Sequence, residues 1–455
     1  MQGMYRARIR PAVEGARSSR AVLRGTLLAG LVVLLPGPGV AQGIDRELAR
    51  TYFAEAARLG AADAGALWGV PLDGPLLFAD RGTRELIANL PDSAGMLSEA
   101  DGAYVGRLPD GVAIYNGALE WAGRRWTMLA WPLPYGRYER QRLVAHELFH
   151  RVQPTLGLPA ANPANDHLDM QAARTWLRLE WRALQEALAQ SDAGRREAIA
   201  DALHFRAERR RLYPDGAESE RLLELNEGLS EYTGVHVGIP MGARAGWVVR
   251  QLETADARSR TESVVRNFAY PSGAAYGLLL AAGDPQWVRG VTAASDLGAL
   301  LGAAYDVAVG SDTTGLGART LRYGGARLRA EEAAREAARL AQQAAFRARF
   351  LTGPTLTLSG TEQLQYSFDP NAVVPFDDGG TVYLTFEVQD VWGTLRVSEG
   401  GALVRPAGDL RQVVVSAPTG SGDGVVRGAG WELTLAEGWQ VAPGARPEDR
   451  VLTRR

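Results

Sequence analysis

The stretch Leu143-Val144-Ala145-His146-Glu147-Leu148-Phe149-His150 holds two of the five histidines in this chain, four residues apart, with a glutamate directly after the first. On a helix, residues four apart lie on the same face, so His146 and His150 can offer imidazole nitrogens to one metal ion. Glu147 follows about 100° further round the helix. From there its carboxylate can reach a water molecule on the metal without being a ligand. The stretch therefore predicts a metal-binding helix with an adjacent general base.

An apolar ridge accompanies the two histidines. Val144, Leu148 and Val152 recur every four residues, and Ala145 and Phe149 widen the ridge. This spacing predicts a helix that is buried on the side away from the histidines, which would then face an interior cleft. The alternative is a chance HExxH pattern on a solvated helix, and the ridge argues against it.

Composition restricts both the ligands and the partners. The chain has 455 residues, is 46% hydrophobic and carries a formal net charge of −2, so it can form more than one domain and does not favour nucleic acid as a partner. The chain contains arginine but no lysine. Cysteine is absent, which excludes disulfides and thiolate ligands, so a metal ion would be held by histidines and carboxylates.

The N-terminal segment has the pattern of a secretory signal peptide. Several arginines precede an apolar run, Thr26 to Leu35, and a stretch of small residues that ends at Ala41. The run is shorter than the ~20 residues that span a bilayer. We therefore predict a signal peptide over residues 1–41, a secreted or periplasmic location, and no stable membrane span in the mature chain. The alternative is an uncleaved N-terminal anchor.

The remaining chain predicts an α+β protein. Residues 42–353 combine a small N-terminal mixed sheet, including a hairpin of Ala118 to Trp121 with Trp126 to Trp131, with a mainly helical remainder. Long helical patterns cover about 165–212, and a bridging helix is predicted over 324–350. Residues 354–455 alternate in strand fashion between turn residues, which predicts a separate all-β, sandwich-like module that could bind a surface or a substrate.

A third metal ligand is expected on the helix that starts near Asp215. Within it, Glu224, Glu227 and Glu231 fall on one face at helical spacing, and leucines supply the opposite face. A catalytic zinc commonly has three protein ligands and a water molecule. The alternative is an ordinary solvated acidic face.

HExxH followed by Asn226-Glu227-Gly228 resembles the gluzincin zinc metallopeptidases, which include thermolysin-like endopeptidases and zinc aminopeptidases. The resemblance implies a zincin-like metallopeptidase domain over residues 42–353, with Glu227 as the third zinc ligand. It also implies that Glu231, which stands where the family has aspartate, bonds the far nitrogen of a zinc-bound histidine. His150 and Glu227 are further apart than is usual in that group, so the helices of about 165–212 would be an insertion that packs outside the site.

The segment Phe268 to Tyr276 is similar to the Tyr-x-x-Gly-Ala segment of the aminopeptidase branch, with Ser272 where a lysine is usual. This similarity implies that Tyr270 donates a hydrogen bond to the developing oxyanion. Tyr276 is the second candidate, and a purely structural tyrosine is the alternative. Gly117-Ala118-Leu119-Glu120 is similar to the segment that binds a substrate's N-terminus in aminopeptidases, but it lies within the predicted hairpin. We therefore assign no exopeptidase anchor. We expect His167, His204 and His236 to be structural, with the alternative that His236, just after the helix that bears Glu227, approaches the metal site.

Together these features predict an exported zinc metallopeptidase that acts on a peptide or protein substrate. His146, His150 and Glu227 would hold one Zn²⁺ and Glu147 would be the general base. Two alternatives stay open: a catalytically silent, peptidase-like binding or scaffold protein of the cell envelope, and a non-peptidase zinc hydrolase. Histidine and carboxylate ligands also accept other divalent ions.

Overall fold

The computed structural model describes residues 7–8, 43–310, 314–369, 372–376, 380–408 and 410–455. The predicted signal peptide, residues 1–41, therefore lies outside the described residues except for the two-residue strand β1 (Ala7–Arg8). The chain is mixed α/β with a C-terminal β-sheet region, as predicted in outline. It divides into two compact units between Glu336 and Ala337, which is before the predicted boundary at residues 353 and 354.

A six-stranded mixed sheet begins the first unit, after helix α1 (Arg46–Asp63). Its strands are β2 (Leu76–Asp80), β3 (Glu85–Ala88), β4 (Ser98–Ala100), β5 (Ala103–Arg107), β6 (Gly117–Trp121) and β7 (Arg124–Trp131). They lie in the order β4-β5-β3-β2-β7-β6, and only β2 and β7 are parallel. The predicted hairpin is confirmed as β6 and β7, with Ala122 and Gly123 both at positive φ as its two-residue turn requires.

Helices follow this sheet along the chain. They are α2 (Arg137–Val152), α3 (Gln171–Ala189), α4 (Asp192–Leu212), α5 (Gly216–Leu223), α6 (Leu229–Gly238), α7 (Met241–Arg258), α8 (Ala269–Gly283), α9 (Leu297–Ala304), α10 (Leu316–Arg322) and α11 (Gly325–Arg347). A π-helical turn, Glu224–Gly228, joins α5 to α6. Among the described residues, no helix combines the length and apolar character that crossing a bilayer requires.

Helices α3 and α4 cover most of the predicted insertion; they pack against each other, and α3 packs directly against α8. The Trp181 indole N–H donates to Ser272 Oγ at 2.8 Å, and the Tyr276 hydroxyl donates to Glu180 Oε1 at 2.7 Å. Glu180 also pairs with Arg209 of α4, and both side chains are fully buried. Because a buried charge is stable only with a partner, these contacts fix α8 relative to α3 and α4.

The second unit contains two seven-stranded sheets. Its strands from residue 355 onward are β8 (Thr355–Ser359), β9 (Gln365–Phe368), β10 (Val373–Pro375), β11 (Thr381–Tyr383), β12 (Phe386–Asp390), β13 (Gly393–Val397), β14 (Ala402–Ala407), β15 (Leu410–Ser416), β16 (Pro418–Gly422), β17 (Val425–Gly428), β18 (Trp431–Leu435), β19 (Trp439–Pro443) and β20 (Arg450–Arg454). The sheet orders are β1-β9-β12-β13-β18-β17-β16 and β10-β11-β14-β15-β8-β20-β19. Both sheets contribute to one apolar core, for example Val388 and Leu395 from one and Leu356 and Val413 from the other.

Candidate metal centre

Helix α2 carries the two histidines, and its buried surface extends beyond the apolar ridge. Val144, Leu148 and Val152 are buried as predicted, and so are His146 and Glu147, at 3% and 5% exposure. Helix α6 covers the histidine face at close range. A Cβ atom at Gly234 would lie only 2.7 Å from the backbone oxygen of Arg142, so this packing requires glycine at that position.

Three side chains that are far apart in sequence converge between α2 and the π-helical turn. The Nε2 atoms of His146 and His150 lie 3.2 Å apart, and each lies 3.4 Å from Glu227 Oε2. We call His146, His150 and Glu227 the metal group; they are the one set of three among the described residues whose ligand atoms could hold an ion together. The structure therefore brings together all three residues expected to be ligands.

The dimensions of the metal group fit a tetrahedral ion. Ligand atoms about 2.0–2.1 Å from a tetrahedral metal are separated from one another by about 3.3–3.4 Å. The three observed separations, 3.2, 3.4 and 3.4 Å, lie close to that range. Two imidazole nitrogens and one carboxylate oxygen also form a donor set that zinc accepts.

Glu147 lies beside the metal group without joining it. Its side chain interacts electrostatically with both histidines and with Glu227, and burial raises its pKa above the usual value. Its Oε2 atom is buried and has no hydrogen-bond partner among the described residues. A buried carboxylate oxygen with an unused acceptor, next to a metal group but outside its ligand set, is suited to take up a proton.

The outer nitrogen of His146 faces Glu231. His146 Nδ1 lies 3.1 Å from Glu231 Oε2, and Arg142 and Gln251 also donate to this fully buried carboxylate. Although burial raises the pKa of Glu231, Arg142 and His146 lower it to about 2. Burial likewise opposes protonation of His146, but Glu227 and Glu231 raise the pKa of His146 to about 10. Glu231 is thus an ionised acceptor that orients the imidazole.

His150 is held by a different set of groups, which the sequence analysis missed. Its Nδ1 lies 2.9 Å from Gln153 Oε1, and the Gln153 amide donates to Asn226 Oδ1 at 3.2 Å. Asn226 Nδ2 in turn donates to Glu227 Oε1 at 3.2 Å. Two amides therefore connect one ligand of the metal group to another. In the sequence, the spacing of Gln153 three residues after His150, directly after α2 ends, indicates that the two side chains can meet.

The π-helical turn corrects the predicted acidic face. Glu224 does not share a face with Glu227 and Glu231; it forms a buried ion pair with Arg206 of α4. A π turn contains an extra residue relative to α-helix, which rotates the residues on either side of it. Glu224 is consequently directed to one side and Glu227 to the other.

Tyr270 lies against the metal group, whereas Tyr276 does not. The Tyr270 ring is parallel to that of His146, with the centroids 5.5 Å apart, and its phenol lies within the electrostatic influence of Glu227. Burial and the Glu227 carboxylate raise the pKa of Tyr270 well above its usual value, so the phenol stays protonated and able to donate. Tyr276, the second candidate, donates to Glu180 instead.

The other candidate residues lie elsewhere. Glu120 is exposed and pairs with Arg125 at 2.8 Å, so the aminopeptidase-like segment contributes no carboxylate to the metal group. His167 pairs with Glu220, His204 bonds the backbone of its own helix, and His236 contacts Tyr232 and Arg244.

Comparison with protein-family models, with curated proteins and with solved structures finds no match for this chain. The gluzincin resemblance therefore stays a prediction from the residues around His146, Glu227 and Tyr270, whereas the three-residue metal group rests on the geometry.

Proposed function

We propose that this protein is an exported zinc metallopeptidase with a zincin-like catalytic domain, and that His146, His150 and Glu227 hold one Zn²⁺. The observation that carries the proposal is the convergence of their three donor atoms at separations of 3.2–3.4 Å. Glu147 adds a buried carboxylate with an unused acceptor oxygen at the same place. A general base beside an open, three-ligand metal group is the arrangement that hydrolysis of a peptide bond needs.

When bound, zinc supplies Lewis acidity that polarises a carbonyl and lowers the pKa of a water molecule. Glu147 accepts a proton at Oε2 and returns it to the leaving amine, a transfer favoured by its raised pKa. Tyr270 keeps its proton and donates a hydrogen bond to the charge that develops on the substrate oxygen. Glu231 and Gln153 accept from the outer nitrogens of the histidines and so keep both Nε2 lone pairs directed at one point.

Two substitutions test these roles. Glu147→Gln should retain one metal ion per chain and lower hydrolysis about 10²–10⁴-fold, because the amide cannot accept the proton. Glu227→Ala should lose the metal. Metal content is measured by elemental analysis, and hydrolysis on a casein and quenched-peptide panel with and without chelator. Glu120→Gln makes the same chemical change at an exposed ion pair and should leave both quantities unchanged.

The outcomes separate the alternatives. Full activity in Glu147→Gln, or full metal content in Glu227→Ala, would contradict the assigned roles. Bound metal with no turnover of any peptide by the unmodified protein would support a silent binding or scaffold protein instead. Turnover of esters or amides but not of peptides would support a non-peptidase hydrolase.

A further inference from the structure

A cavity of about 340 Å³ lies one layer of side chains away from the metal group. No residue of the metal group lines it, but Tyr270, the proposed donor to the substrate oxygen, and Glu231, which faces His146 Nδ1, both do. We call it the α7 cavity, because α7 supplies one complete wall, including Trp247, Gln251 and Ala255. Its volume is at the lower end of the roughly 300–1,000 Å³ of ligand pockets, which suits one large side chain rather than a whole cofactor.

Aromatic and apolar groups line much of the α7 cavity. Trp181 is fully buried, and its indole N–H is already bonded to Ser272, so it presents a wall without a free donor. Trp247, Tyr270, Val264 and Pro271 add further apolar surface, and Trp247 Nε1 is a buried donor with no hydrogen-bond partner among the described residues. Aromatic side chains favour offset or edge-to-face contact with other rings, so a cavity with three of them favours an aromatic occupant over an aliphatic one.

The charges around the α7 cavity cancel. Arg142 and Glu231 pair with each other at the inner end. At the outer end, two exposed arginines, Arg250 and Arg258, are balanced by two exposed glutamates, Glu139 and Glu262. An occupant with a net charge would meet equal numbers of like and opposite charges. The rim therefore favours an uncharged side chain.

The lining is also connected to the metal group. Gln251 and Arg142 both line the α7 cavity and both donate to Glu231, which accepts from His146 Nδ1. A side chain seated in the cavity would contact the groups that orient a ligand, together with Tyr270. Binding there is thus expected to affect the rate of the chemical step as well as the affinity.

We propose that the α7 cavity receives an uncharged aromatic side chain of a peptide substrate, from a residue directly beside the bond that is cleaved. This inference rests on the proposed peptidase function and specifies the substrate class on which it acts.

In the kinetic test, mass spectrometry first maps the cleavage sites in denatured casein. Peptides that differ only in carrying Phe, Ala, Asp or Arg at the enriched position are then compared as substrates. We expect kcat/KM for the Phe peptide to exceed the others about tenfold or more. Ala255→Trp fills the cavity and should bring the ratio close to one, while Ala257→Trp on the exposed side of the same helix should preserve it. Trp247→Ala removes an aromatic wall and should also reduce the ratio, which guards against misfolding of the bulkier variant.

A binding test distinguishes failure of this inference from failure of the proposed function. Zinc-loaded Glu147→Gln should bind the Phe peptide more tightly than the Ala peptide in calorimetry, and the added Ala255→Trp should remove the difference. Cleavage without aromatic preference would overturn the α7 cavity assignment and leave the peptidase standing. Selective binding without cleavage by the unmodified protein would overturn the peptidase and leave the cavity as an aromatic-binding site. Neither binding nor cleavage would overturn both.

Discussion

Two neutral amides, Gln153 and Asn226, form a hydrogen-bonded chain from His150 to Glu227. Gln153 is fully buried, and its amide also donates to the backbone oxygen of Pro159 at 2.6 Å. The orientation of His150 therefore depends on a side chain that lies outside the metal group. Such outer contacts fix the tautomer and direction of a ligating imidazole.

We expect Gln153→Leu to weaken zinc affinity about 10–100-fold, because His150 Nδ1 loses its nearer acceptor and keeps only Ser230 Oγ, at 3.3 Å. Competition with a chromophoric chelator measures the affinity. Gln141→Leu is the matched control on the same helix, since Gln141 is also buried and donates to Glu55 at 2.7 Å, away from the metal group. Equal zinc affinities in the two variants would contradict a positioning role for Gln153.

His236 gives a prediction about pH. Burial and Arg244 lower its pKa from 6.5 to about 4. The unfolded chain thus takes up this proton near pH 6.5 and the folded chain only near pH 4, so the contribution of His236 to stability is present above pH 6.5 and is lost as the pH falls towards 4. His236→Gln should reduce the loss of unfolding free energy over that interval. Urea titrations of both metal-free proteins at several pH values measure the free energy of unfolding. If this free energy changed with pH in the same way in both proteins, the prediction would be wrong.

Among the elements, α8 and the π-helical turn meet at two glycines. A Cβ atom at Gly273 would lie 2.2 Å from the Cα atom of Gly228, a distance that no packed side chain can occupy. Gly228 directly follows the ligand Glu227, and Gly273 lies one turn after Tyr270 on α8. The contact between the two backbones therefore sets the distance from the tyrosine to the ligand.

Gly273→Ala should lower the unfolding free energy by about 1–3 kcal/mol, because the two elements must separate to admit the methyl group. It should also weaken zinc binding, because Glu227 moves with Gly228. Gly283→Ala, at the end of the same helix with nothing within 4 Å, should change stability by less than about 1 kcal/mol and leave zinc binding intact. Chemical unfolding measures the change in stability, and zinc titration measures the change in affinity. Unchanged zinc affinity in Gly273→Ala would contradict the proposed dependence of Glu227 on this backbone contact.

Local patterns predicted what depends on local spacing. The histidine pair at i and i+4, the hairpin and the helix bearing Glu227 could all be identified from residues close together in sequence. The direction of the Glu224 side chain could not be predicted, because a π turn does not change the spacing of apolar residues in a recognisable way. Its partner, Arg206, also comes from another helix. Gln153 was missed because its role depends on Asn226, which is remote in sequence and comes near only in the fold.

Across the whole molecule, each compact unit has its own apolar core, and the metal group belongs to the unit that ends at Glu336. A metal bound only to the folded state stabilises that state by mass action. Within this unit the ligands come from α2 and the π-helical turn, which are far apart in sequence. Binding the ion therefore closes a long stretch of chain as well as filling a site.

Chelation should lower the melting temperature of the unit that holds the metal group. At free zinc about 1,000 times the Kd, binding contributes about 4 kcal/mol to its stability. Differential scanning calorimetry of the full chain with and without chelator measures the shift. Glu227→Ala should melt at the lower temperature under both conditions, and a chelator-sensitive melting curve in that variant would contradict the assignment of the ligand.

The contact between Gly228 and Gly273 also has an evolutionary consequence. A Cβ atom at Gly273 would lie 2.2 Å from the Gly228 backbone, whereas one at Gly228 would make a tight contact of 3.1 Å with the Cα atom of Gly273. Since the facing position already lacks a side chain, a methyl group at Gly273 cannot be compensated by a smaller residue at position 228. Gly273 is therefore expected to vary least in evolution, and Gly228 less than surface positions do. Homologues should accordingly carry His-Glu-x-x-His, Asn-Glu-Gly and Tyr-x-x-Gly together. These three motifs form a pattern with which genomes can be searched for related proteins.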